Sequence, residues 1–175
     1  MSGRHWARRR APKHAPDPEA SSKSAFILFD VDGTLLDGAH AIAGTMVDAF
    51  LAAGEPPPQL REVRELIGLS LPEMVDVLTA GRPRDLGDKI RAGYLVRYFD
   101  AIERQFEPPV FPGAETAILR LRRAGIPLGL VTGKAARSVR QMLDAMDWHQ
   151  HFRTVQCADR NPSKPDPTMV AKALL

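Results

Sequence analysis

The chain has 175 residues, a formal charge of +3 and one cysteine, Cys157. Its length suits one domain, or one domain with a small insert. With 44% hydrophobic and 26% charged residues it can build a packed core, which excludes a wholly disordered or fibrous chain. One cysteine makes neither an intramolecular disulfide nor a four-ligand zinc site. No apolar run approaches the roughly 18 residues of a membrane helix, and residues 1–24 hold no apolar stretch of the secretory kind. The expectation is a soluble protein of a reducing compartment, taken as cytoplasmic.

Charge is unevenly placed. Residues 1–24 carry six Lys or Arg against two Asp or Glu, a net +4, so residues 25–175 carry −1. Arg8-Arg9-Arg10 with Pro12, Pro16 and Pro18 reads as a disordered basic tail over 1–24. Nucleic-acid binding through it is disfavoured, because no aromatic platform is interleaved with the arginines. A solubilising leader, an over-extended gene start or an organelle presequence are the plainer readings.

Ala25–Phe29 is a continuous apolar run, the pattern of a strand buried on both faces in a parallel sheet. Asp32-Gly33-Thr34 turns the chain. From His40 to Gly54 apolar residues recur at helical spacing, and Gly54 with Pro56-Pro57-Pro58 stops that helix. Helical patterns follow at 60–67, 72–80 and about 85–105, so residues 40–106 form an all-helical block. A helix over 114–124, a strand over 126–132, a helix over 135–146 and a strand over 154–157 come next. A polar loop at 158–165 leads to a helix over 166–175. This alternation implies right-handed βαβ units and a parallel sheet. The expected fold is α/β: a Rossmann-like core of residues 25–38 and 109–175 with a helical cap, 39–108, inserted after the first strand.

In such a sheet ligands sit beyond the carboxyl ends of the strands, and here three of those ends are chemically loaded. Asp30 and Asp32, two apart on extended backbone, project to one side about 6.5 Å from each other. Their mutual repulsion calls for a cation or a proton, and a divalent, oxygen-loving metal such as Mg²⁺ is the natural one. Gly33 permits the sharp turn. The plain alternative is a solvated Asp-Gly turn. Thr132-Gly133-Lys134 before a helix makes an anion site or a simple Thr cap. Ser163-Lys164-Pro165 precedes another helix, its lysine either aimed at the strand ends or facing solvent.

The ordered set Phe29-Asp30-Val31-Asp32-Gly33-Thr34-Leu35-Leu36-Asp37, then Thr132, then Lys164-Pro165, resembles the haloacid dehalogenase superfamily of hydrolases. Within it, residues 25–175 look most like the phosphoglycolate-phosphatase-type branch. The resemblance implies catalytic roles for Asp30, Asp32 and Lys164. Asp30 would attack the phosphoryl group and become an aspartyl-phosphate. Asp32 would protonate the leaving alkoxide and then activate water. Gly33, Thr132, Gly133 and Lys164 would bind phosphate. The Asp30 carboxylate and the Asp32 carbonyl would hold Mg²⁺. A second aspartate at 32 favours phosphoryl transfer over carbon–halogen cleavage, on a small phosphorylated metabolite. The implied cap would set substrate choice, with Ile67-Gly68-Leu69-Ser70 either a contact loop or an ordinary turn and Arg64 a candidate for a substrate carboxylate.

The resemblance also implies a fourth, acidic motif on a strand after the helix at 166–175, pairing with the open side of the first strand. Asp159 and Asp166 do not replace it, as both belong to the loop around Lys164. With the chain ending at Leu175 the expectation is a truncated or differently terminated member with weak Mg²⁺ affinity and little turnover. A non-catalytic relative that binds a phosphorylated ligand or a partner, and a sugar phosphomutase, stand as alternatives. His149 and His151 read as surface histidines rather than metal ligands. Trp148, Phe152 and Cys157 read as packing residues.

Overall fold

The computed structural model describes residues 25–104 and 108–175. The basic tail assigned to 1–24 lies outside them. Strands β1 (Ile27–Phe29), β2 (Leu128–Thr132) and β3 (Thr154–Cys157) form a parallel sheet in the order β1-β2-β3. Ile27 pairs with Leu128 and Thr132 with Cys157, so the carboxyl ends of the strands share one edge of the sheet. All of β2 is buried, as an unbroken apolar run requires of a strand covered on both faces. β1, expected to be equally buried, is only half-buried. Among the described residues it is an edge strand, flanked by β2 alone. β2 also starts two residues later than its hydropathy predicts. Pro127 has no N–H for the ladder, and the Ile126 N–H turns back to the Leu121 carbonyl at 3.1 Å.

Helices α5 (Ala114–Arg123), α6 (Ala136–Ala145) and α7 (Thr168–Ala173) complete the α/β unit. On α6 Val139, Met142 and Leu143 recur at helical spacing and bury into a cluster with Val31, Leu130 and Trp148. Trp148 packs edge-on against Phe152, ring centres 6.5 Å apart. α7 is shorter than expected: the Asp166 carboxylate accepts the Thr168 N–H at 2.8 Å, so Asp166 and Pro167 form the entry turn. Met169 and Ala173 then cover Val131 of β2.

Between β1 and α5 stand four helices, α1 (Ala39–Ala52), α2 (Leu60–Glu65), α3 (Leu71–Leu78) and α4 (Arg84–Glu103). They close around a separate core that includes Met46, Phe50, Val63, Val75, Ile90 and Tyr94. Each such side chain contributes about 1.5–3 kcal/mol on full burial, so this cluster is a large part of what holds the four helices together. Its two connections cross side by side. Asp37 donates its N–H to the Pro109 carbonyl at 2.8 Å and Phe111 to that of Leu35 at 2.9 Å. None of the helices among the described residues is long and apolar enough to cross a membrane.

Candidate active site

β1 ends at Phe29 and the chain turns at once. The Leu35 and Leu36 N–H groups fold back onto the Val31 carbonyl at 2.9 and 3.0 Å, and Gly33 donates to Leu36 at 2.9 Å. Gly33 has φ +79°, a conformation that favours glycine. This turn fixes Asp30 and Asp32 at the carboxyl edge. Asp30 accepts the Val31 N–H on Oδ1 at 2.7 Å, and its Oδ2 pairs with Lys164 Nζ at 2.7 Å. The Lys164–Pro165 peptide is cis. Asp32 is gripped by a different lysine: Lys134 Nζ lies 3.0 Å from Oδ1 and 2.9 Å from Oδ2, with both side chains about one-tenth exposed, 10% and 11%.

Thr132, the last residue of β2, is buried, and its Oγ1 accepts the Lys134 N–H at 3.2 Å. Gly133 is a glycine for a steric reason. A Cβ there would stand 2.5 Å from the Gly68 carbonyl oxygen and 2.9 Å from its carbon, and would also clash with the Leu69 carbonyl oxygen. The loop between α2 and α3, Ile67–Ser70, therefore rests directly on the end of β2. Ser70 donates its N–H to the Ser163 Oγ at 2.8 Å, both residues buried, which ties the loop to the segment carrying Lys164. A Cβ on Gly68 would come within 4.0 Å of Asp30 Oδ2. The loop thus lies over the Asp30 carboxylate.

Asp30, Asp32, Thr132, Gly133 and Lys134 line one cavity of about 80 Å³, roofed by Leu69 and Tyr98. Asp32 and Lys134 also border a second cavity of about 80 Å³, walled by Leu36, Ile42, Ile102, Met142 and Met146. Lys164 instead faces a wider groove shared with Glu73, Asp76 and Asp166. Gly33 is exposed and lines neither of these two cavities: it shapes the turn.

Lys134 is the residue that sequence reasoning passed over. Burial disfavours its ammonium, but the Asp32 carboxylate and the neighbouring Tyr98 outweigh that, and its pKa rises above the ordinary 10.5. The Tyr98 ring centre is 5.4 Å from Nζ, within cation–π range. Tyr94 stacks on Tyr98 at 6.0 Å, and burial, followed by Tyr98 and Asp32, pushes its phenol pKa up. Only its place after Thr132-Gly133 marked Lys134 beforehand.

The remaining candidates fall elsewhere. Arg64 is exposed, hydrogen-bonded to His40 at 3.1 Å, and lines neither cavity. His149 is exposed, as expected of a surface histidine, and reaches the Asp144 carboxylate at 2.6 Å. Asp159 accepts the Ala136 N–H at the start of α6 at 3.0 Å, and Asp166 is committed to Thr168. Among the described residues no group of three or more His, Cys, Asp or Glu side chains gathers as a metal cage. The Asp30 carboxylate alone is a sparse donor set. It fits Mg²⁺, which keeps several waters and takes substrate phosphate beside one or two carboxylates.

Residues 27–175 match the family model described as haloacid dehalogenase-like hydrolase. A phosphoglycolate phosphatase of Rhodobacter capsulatus is 34% identical over 152 residues, 84% of this chain and 68% of that protein. One from Pseudomonas fluorescens is 33% identical over 145 residues, covering 81% of this chain but 53% of the relative. The chain thus spans only about half the length of the Pseudomonas relative. A hydrolase structure from Pseudomonas syringae superposes with a TM-score of 0.72 at 20% identity, covering 86% of this chain and 69% of the other. With that family model matched over residues 27–175, the chain belongs to the haloacid dehalogenase-like hydrolase family.

Proposed function

We propose that this site belongs to a Mg²⁺-dependent phosphomonoester hydrolase that works through an aspartyl-phosphate on Asp30. The observation that carries the reading is the Asp30–Lys164 pair, 2.7 Å apart at the end of β1 and covered by the Ile67–Ser70 loop. An Asp30 oxygen attacks phosphorus, the ester P–O bond breaks, and Asp32 gives its proton to the departing alkoxide. Water, losing a proton to Asp32, then cleaves the acyl phosphate and releases inorganic phosphate. Thr132 Oγ1 accepts the Lys134 N–H, which leaves its own proton for a phosphoryl oxygen. Lys164 offsets charge on Asp30 and the transferring group.

Members of the family generally use a divalent metal. Here Asp30 and the Asp32 carbonyl would hold Mg²⁺, which supplies charge neutralisation for the phosphoryl oxygens. The block 39–108 is in this reading a cap that excludes water. The substrate is a small phosphorylated metabolite, of the phosphoglycolate kind named for its relatives, and the location is cytoplasmic.

The test is phosphate release from p-nitrophenyl phosphate and phosphoglycolate, with and without Mg²⁺, by the full chain and by Asp30→Asn. Metal-dependent release that vanishes in Asp30→Asn is expected. Release that survives the substitution overturns the reading.

A further inference from the structure

Each aspartate of the site has a lysine of its own: Asp30 takes Lys164 and Asp32 takes Lys134. The second pair is built for placement. Lys134 Nζ is hydrogen-bonded to both oxygens of Asp32, at 3.0 and 2.9 Å, and among the described residues no other group hydrogen-bonds to that carboxylate. The lysine is fixed at its root. Its N–H is held by Thr132 Oγ1 at the end of β2, and its carbonyl accepts the Ala158 N–H just past β3, both at 3.2 Å. From the helical block, Tyr98 of α4 covers the ammonium, ring centre 5.4 Å away. Asp32 has no comparable restraint of its own. It borders both cavities, and the torsion that turns an aspartate carboxylate is broad. One ammonium bridging both oxygens fixes that torsion.

We propose that Lys134 is the positioning residue of Asp32: it grips both carboxylate oxygens so that Asp32 stays aimed at the ester oxygen of the group held at Asp30, and it does not itself touch the substrate. The proposal rests on the phosphatase reading, in which Asp32 serves the departing alkoxide, and adds the device that keeps Asp32 in place. The grip leaves the carboxylate able to work, because each oxygen that accepts from Lys134 retains a further lone pair. A reacting group is useful only when its supports are themselves locked by packing and hydrogen bonds. Here the supports come from three segments: the ends of β2 and β3 hold the lysine backbone, and α4 covers its tip.

The experiment compares kcat/KM for two esters whose leaving groups differ in their need for a proton. An aliphatic alkoxide, as from phosphoglycolate, needs one, and nitrophenolate, from p-nitrophenyl phosphate, departs without it. Lys134→Met is expected to lower kcat/KM for phosphoglycolate by about 10- to 100-fold, the size of the effect of a misplaced reacting group, and to cost clearly less on p-nitrophenyl phosphate. Lys134→Arg, whose fork also spans two carboxylate oxygens, should recover part of the loss. Added to Asp32→Asn, Lys134→Met should cost nothing more, since nothing remains to be positioned. If Lys134→Met does not fold, Lys134→Gln takes its place. Equal losses on the two esters in a folded variant overturn the proposal. So does a further loss on top of Asp32→Asn, which would put Lys134 on the substrate itself. If the wild-type chain hydrolyses neither ester, the phosphatase reading fails separately, and the grip is read without turnover. The ammonium of Lys134, held and shielded, should give a signal in a proton–nitrogen NMR spectrum of the isotope-labelled full chain, and Asp32→Asn should remove it. No such signal from the wild-type chain, or one that Asp32→Asn leaves in place, overturns the proposal.

Discussion

Gly133→Ala tests the closed arrangement of loop and sheet with a single methyl group. The added Cβ would stand 2.5 Å from the Gly68 carbonyl oxygen and nearer still to that of Leu69, where ordinary contact begins at 3.4 Å, so the loop must retreat by at least about 0.9 Å. The opposing atoms are backbone, and no rotamer change relieves the clash. Overpacking of this kind costs about 1–3 kcal/mol when it is absorbed within a core. Here the helical block has its own hydrophobic cluster and can yield as a unit, so stability should fall by no more than about 1 kcal/mol. The retreat instead breaks the Ser70 N–H bond to Ser163 Oγ, now 2.8 Å long. Amide hydrogen exchange at Ser70, measured alongside urea unfolding, is the assay. Loss of Ser70 protection is expected, while amides of β2 keep theirs. A displacement near 1 Å at a positioning element lowers kcat/KM by on the order of 10²-fold. Unchanged Ser70 exchange in a folded Gly133→Ala protein would refute the reasoning that the loop lies against β2.

Two further outcomes follow from the same structure. The Asp32–Lys134 pair, at 2.9 Å, has a gross attraction of about 6 kcal/mol at an effective dielectric near 20, offset by the desolvation of both ions. Lys134→Met strands a buried carboxylate and should lower the unfolding free energy by about 3–5 kcal/mol, whereas Asp32→Asn with Lys134→Met should recover most of that loss; urea denaturation of the single and double variants checks it. Cys157 is buried, and burial first, then repulsion from Asp159, pushes its thiol up to about 11 against a lowering by Arg160. It stays protonated at neutral pH, so iodoacetamide should label native protein only slowly at pH 7 and react fully once urea unfolds the chain.

Much of the architecture was legible because parallel sheets have simple rules. Unbroken apolar runs marked β1 and β2, and alternation with helices placed β3 and fixed the direction of all three, so Asp30, Thr132 and Lys164 were expected at one edge. What escaped depends on contacts between distant segments. Lys134 and Asp32 lie 102 residues apart, and Ser70 and Ser163 lie 93 apart, and no local pattern announces either pair. The steric need at Gly133 exists only once the Ile67–Ser70 loop is laid across it. Hydropathy reports the faces of a strand and not its edges, and β1, flanked by β2 alone among the described residues and with its other side expected to be open, is only half-buried. Arg64 illustrates the converse error: a basic residue in the helical block that the fold turns outward to His40.

The central claim is that Asp30 takes the phosphoryl group. Rapid acid quench of the full chain with phosphoglycolate and Mg²⁺, followed by peptide mass spectrometry, tests it most directly. One added phosphoryl group is expected on the peptide containing Asp30, sensitive to hydroxylamine and absent from Asp30→Asn. Phosphate release at an unaltered rate by Asp30→Asn, or a phosphoryl group recovered on another residue, would contradict it.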